Sequence, residues 1–101
     1  MYGTENQVRD FLRLKGAPTF WVDSALGYIR RGLATNTRLP LHVLTQSATL
    51  GLGGTIKRYT GTIAVRYPDR DVAGTIKLTY TFNPKRAIAH NVKVEPLKET
   101  A

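Results

Sequence analysis

The chain has no cysteine, one methionine and one tryptophan among its 101 residues. Without thiols there is no disulfide framework, no thiolate nucleophile and no cysteine-built zinc site, a composition that suits a reducing compartment. Long apolar runs are also missing. Nothing approaches the roughly 18 residues of a membrane span, and the opening MYGTENQVRD puts charge where a secretory segment needs an apolar run. The expectation is a soluble, cytoplasmic protein with no membrane partner.

Acidic residues are the other scarcity. Seven Asp and Glu stand against fifteen Lys and Arg, a formal net charge of +8 and a sequence pI near 10.2. The excess is uneven, +2 up to Asn36 and +6 beyond it. Such a balance draws polyanions by long-range attraction, and its alternative meaning is simple solubility. The apolar share of 42% is ordinary for a globular protein, and at this length one core is expected, so residues 1–101 read as a single helix-plus-sheet domain.

Thr4 followed three residues later by Gln7 has the form of a capping box. Val8, Phe11 and Leu12 then recur at helical spacing until Gly16 and Pro18, which predicts a first helix over about 5–15. A second helix starts near Thr19 or Asp23 and carries the stripe Val22, Leu26, Ile29 and Leu33, widened by Trp21, Ala25 and Tyr28. Beyond ATNTR the pattern turns to strands. RLPLHVLTQSATL reads as a strand begun at Pro40 and broken at Gly51, Gly53 and Gly54, its parity open.

Residues 55–67 and 72–82 are joined by Pro68-Asp69-Arg70-Asp71, and pairing Tyr67 with Val72 sorts the side chains by face, with Lys57, at the strand end, the exception on the apolar side. Tyr59, Ile63, Val65 and Tyr67 then share a face with Val72, Ile76, Leu78 and Tyr80. Arg58, Thr60, Thr62 and Arg66 share the other with Thr75, Lys77, Thr79 and Thr81. A last strand over 88–94, reached through Asn83–Ala87, would set His90 opposite Tyr80 in the apolar layer and Lys93 opposite Lys77. Gly61 and Gly74 are expected to let the long sheet bend. The fold class is therefore α+β, two short N-terminal helices packed on one face of a curved four-stranded antiparallel sheet.

No motif names a reaction. LGLGGTIKRY lacks the phosphate-loop form, no nucleophile elbow is present, and Gly-Thr-Ile recurs at 54–56, 61–63 and 74–76 without a period. No cofactor, metal site or catalytic residue is assigned. The candidate nucleic-acid-binding set is Arg58, Arg66, Lys77 and Lys93 on the threonine-rich polar face, with Lys85 and Arg86 extending it from the turn after Asn83. Arg30 and Arg31 have a sufficient role at the end of the second helix. Aromatic residues fall on the apolar side, which argues against base stacking.

The leading expectation is thus a small basic domain that contacts the phosphate backbone of DNA or RNA with little base readout. One alternative is a non-enzymatic assembly subunit, homo-oligomeric through its sheet edges. Another is a ribonuclease-like toxin using His42 or His90 with neighbouring cations.

Overall fold

The computed structural model describes residues 2–53, 56–83, 86–90 and 92–97, with backbone alone for 48–50, 52, 53, 56 and 83. In chain order the elements are β1 (Tyr2–Gly3), α1 (Glu5–Leu14), α2 (Thr19–Gly32), β2 (Leu41–Gly53), β3 (Ile56–Tyr67), β4 (Val72–Asn83), β5 (Arg86–His90) and β6 (Val94–Pro96). The fold is α+β, with both helices against one face of an antiparallel sheet. Six strands build it rather than four, because the two-residue β1 adds to β2 and the last strand divides into β5 and β6. Among the described residues no helix is long and apolar enough to cross a membrane.

α1 begins where the capping box lies, and the Thr4 N–H donates to Gln7 Oε1 at 2.9 Å. Val8 and Leu12 carry its buried stripe. α2 starts from Pro18, whose fixed φ suits a helix entry, and buries Trp21, Val22, Ala25, Leu26 and Ile29. These side chains close on Ile63, Val65 and Tyr67 of β3 and Ile76 and Leu78 of β4.

The β3–β4 ladder follows the alternation throughout, from Tyr67 opposite Val72 to Lys57 opposite Phe82. A three-residue 3₁₀ turn, Pro68–Arg70, and Asp71 at φ 50° make the connection. Arg70 ties this turn to the end of α2, donating to the Ala34 carbonyl at 3.2 Å.

Gly61 and Gly74 serve packing. A Cβ at Gly61 would stand 2.2 Å from Trp21 Cζ2, and one at Gly74 would stand 3.0 Å from the Leu33 methyls. The indole lies directly on the β3 backbone, and its N–H donates to the Leu78 carbonyl at 3.0 Å on the neighbouring strand. Burying such a ring is worth at most about 4–6 kcal/mol, taking ~150–250 Å² at ~25 cal/mol/Å².

A buried polar knot joins the two helices to each other. Glu5 is 1% exposed, and its Oε1 accepts from Arg30 Nη1 at 2.5 Å, with Arg9 Nη2 at 3.4 Å. Arg9 in turn reaches Asp23 at 2.6 Å, so α1 and α2 are pinned twice. Beside this knot the Tyr67 side chain is fully buried. Burial pushes its phenol above the ordinary 10.0; the Thr35 side chain opposes this, the Glu5 charge reinforces it and the Arg30 charge opposes it. The Tyr67 hydroxyl nonetheless makes no hydrogen bond of good geometry, with Thr35 or any other group.

Two outcomes follow from this packing. Gly61→Ala drives a methyl into the indole and is expected to cost about 1–3 kcal/mol in urea unfolding. Tyr67→Phe removes an unsatisfied hydroxyl and should leave stability at neutral pH unchanged or raised by up to about 1 kcal/mol. The pH dependence separates it from wild type. Below pH 10.0 both folded and unfolded chains keep the Tyr67 proton; above it the unfolded chain ionises first, so stability falls as pH rises. Tyr67→Phe will show a shallower alkaline decline when unfolding is followed from about pH 9 to pH 11, with Tyr59, also raised by burial, retaining part of the slope.

Candidate nucleic-acid interface

The sheet face turned away from the helices is where the expected cations stand. By ladder parity Arg58 and Arg66 of β3 share it with Lys77 of β4, and Thr60, Thr62, Thr75, Thr79 and Thr81 fill the positions between. Thr60 and Thr79 bond across the strands at 3.2 Å, and Thr75 donates to the Ile63 carbonyl at 3.1 Å. These bonds engage three of the threonine hydroxyls.

β5 departs from its expected register. The segment begins at Arg86 rather than Ile88, and Thr79 pairs with His90, Tyr80 with Ala89 and Thr81 with Ile88. The ladder has moved by one residue, so Ala87 and Ala89 turn toward the helices while Arg86, Ile88 and His90 turn outward. His90 is therefore exposed beside Thr79 and does not enter the apolar layer. Ile88 is 47% exposed for the same reason. β6 returns to the expected parity, with Val94 opposite Ile76 and Glu95 opposite Thr75. Between the pairs His90–Thr79 and Val94–Ile76 the chain spends three residues against two on β4, the one-residue excess of a bulge. Lys93 lies in that stretch and has no ladder partner, yet it lines a depression with Lys77, Thr62, Thr75 and Glu95.

Two shallow depressions of about 370 and 390 Å³ adjoin at Lys77. Among the described residues the second is lined by Arg58, Thr60, Lys77, Thr79, Thr81 and His90, without a carboxylate. Among the described residues Arg58, Lys77 and Arg86 make no ion pair or side-chain hydrogen bond. Arg66 holds Asp71 at 2.9 Å, and Lys93 holds Glu95 at 3.5 Å. Both acids are largely exposed, so these pairs are screened and only weakly neutralise their cations. Among the described residues this side of the sheet carries five cations and two carboxylates. Lys85 lies outside the described residues.

His42 also reaches this face, opposite Arg66, with the Tyr2 ring 4.4 Å away. That pair is an aromatic feature the sequence reading had not put there; a two-residue strand carries too short a pattern to announce itself. The two histidines stand three strands apart and about six residues apart along them, roughly 14 Å by 20 Å. One phosphate cannot meet both imidazoles. The remaining rings serve the helical side, where Phe20 packs edge-on against Tyr80 at 5.0 Å and Phe82 at 5.4 Å. Tyr80 also shares a hydrogen bond with Ser24 Oγ.

Arg30 and Arg31 have structural partners. Arg30 holds the buried Glu5, and Arg31 lies over the Tyr28 ring at 4.9 Å. Among the described residues no group of three or more His, Asp or Glu converges as a metal ligand set. No protein-family model, curated protein or solved structure matches the chain, so the argument for function rests on this geometry.

The register of β5 has a direct check. An exposed His90 bears no packing load, and His90→Ala should change unfolding free energy by less than about 0.5 kcal/mol. A histidine buried in the apolar layer would lose several times that.

Proposed function

We propose that the protein binds the phosphate backbone of nucleic acid across the outer face of its sheet, with little readout of base identity. The observation that carries this reading is the depression in which Arg58, Lys77 and His90 converge with three threonines and, among the described residues, no carboxylate. Guanidinium, ammonium and hydroxyl donors are the groups that engage phosphate oxygens. The face is broad and shallow rather than grooved, which suits an extended backbone more than an enclosed small ligand. Aromatic platforms are sparse there: Tyr2 with His42 offers a single stacking position at one corner, so affinity is expected to come from charge. Arg86 and Lys93 extend the track toward the β5–β6 side, and Lys85 belongs to the same proposed set.

Fluorescence anisotropy with labelled duplex DNA, single-stranded DNA and RNA over a salt series tests the reading. Wild type should bind with steeply salt-dependent affinity. Arg58→Ala/Lys77→Ala should lower the slope of log affinity against log salt by about 1.4–1.8 units, at ~0.7 per phosphate contact on single strands and ~0.9 on duplex. Lys57→Ala/Arg13→Ala removes the same charge elsewhere, since Lys57 pairs with Phe82 on the opposite side and Arg13 is exposed on α1. That control should keep the wild-type slope. Equal losses in both double variants would reduce the effect to net charge and remove the site, and cleaved RNA in place of bound RNA would turn the reading toward catalysis at His90.

A further inference from the structure

The two edges of the sheet are built differently. On one side β5 and β6 are short, interrupted between His90 and Val94, and marked by Arg86, Lys93 and Pro96. Short strands, breaks, cations and proline are the devices by which proteins blunt an exposed edge. On the other side β2 has none of them. Among the described residues only Leu41 and His42 of its thirteen are covered, by β1. After a bulge at Val43–Thr45, the nine residues Thr45–Gly53 run in unbroken register with β3. They leave about 30 Å of backbone whose outward N–H and C=O groups meet no other described strand.

The sequence of this edge is as unusual as its geometry. From Leu39 to Ile56, eighteen consecutive residues, there is no Asp, Glu, Lys or Arg, in a chain where 22% of residues are charged. Leu44 stands 46% exposed at the start of the run. β2 itself, Leu41–Gly53, is uncharged and proline-free, which makes it complementary to an uncharged strand, and a protein of net charge +8 carries one on every copy.

We propose that two copies pair antiparallel through β2 about a two-fold axis, joining their sheets into one. The partner is a second copy because the edge is self-complementary under that symmetry and because the charge cost is small there. The nearest outward cations, Arg58 and Arg66, sit one strand in from the edge. Across the proposed junction they approach no closer than three strand spacings, about 14 Å, beyond the ~8 Å screening length at physiological salt. Pairing through β5 would instead bring Arg86 of one copy next to the cations of the other. The β2 dimer sets the two outer faces side by side, and it does not depend on what those faces bind.

Light scattering coupled to size exclusion, across a concentration series in high salt after nuclease treatment, reads the outcome. High salt abolishes bridging by nucleic acid and leaves backbone pairing intact, so this result is separable from the binding test. The mass should rise from 11.2 kDa toward twice that value with concentration. At physiological salt after the same nuclease treatment, Thr49→Lys, at the centre of Thr45–Gly53, sets like charges opposite each other across the two-fold axis and should hold the mass at 11.2 kDa with a wild-type circular dichroism spectrum, while Ile88→Lys on the opposite edge should leave the dimer intact. A wild type that stays at the monomer mass at every concentration, or a Thr49 variant that still doubles, overturns the proposal. Should that variant fail to fold, amide exchange on wild type decides: amides of Thr45–Gly53 that point away from β3 gain protection as concentration rises if the dimer forms, and exchange as open-edge amides at all concentrations if it does not.

Discussion

The seating of Trp21 on Gly61 is the constraint from which the rest of the arrangement is built. An indole can lie flat against β3 only where that strand has no side chain, and its N–H finds an acceptor only on β4, at the Leu78 carbonyl. One residue of α2 therefore sets the height of the helix over the sheet and locks the relative position of two strands. Leu33 against Gly74 repeats the contact toward the other end of α2, so the helix is fixed at two points rather than free to slide. With one face of the sheet committed to the helices in this way, strand alternation sends the cations and threonines to the other.

The polar knot around Glu5 adds specificity of orientation. A carboxylate 1% exposed is costly to bury, and its arginine partners come from both helices. α1 cannot rotate on α2 without parting Glu5 from Arg30 and leaving the buried carboxylate with only Arg9 of its own helix, at the longer 3.4 Å. A positive net charge makes such a device economical in acids: one buried glutamate engages two of the fifteen basic side chains and leaves the cations of the opposite face unspent.

The parts of this fold that could be read from sequence were those with redundant pattern. The β3–β4 ladder has eleven pairs, and a shift of one would reverse every apolar residue between Tyr59 and Tyr80, so alternation alone determined it. The helices were legible for the same reason, through Val8 and Leu12 and through the α2 stripe. β5 has five residues in which Ala87 and Ala89 are hardly more apolar in weight than Ile88, so period two had little to distinguish. The register was then set by the length of the connection after Asn83, which was taken as too long. His90 and Ile88 take the opposite face with it, and Arg86 joins the strand instead of the connection. β1 has no signal because two residues have no period, and the close approach at Gly61 goes unannounced because a glycine in a strand gives no sign of what lies above it.

The extra residue between His90 and Val94 has a meaning for how this surface could change over time. It uncouples the two halves of the sheet's last edge, since each keeps its own inside and outside regardless of the other. Removing it would force a choice: either His90, Ile88 and Arg86 invert as a block, or Val94 leaves its place against Gly32. A length change of one at this point is thus a switch between two surface chemistries on an unaltered scaffold, reachable in a single genetic step where substitution would need three.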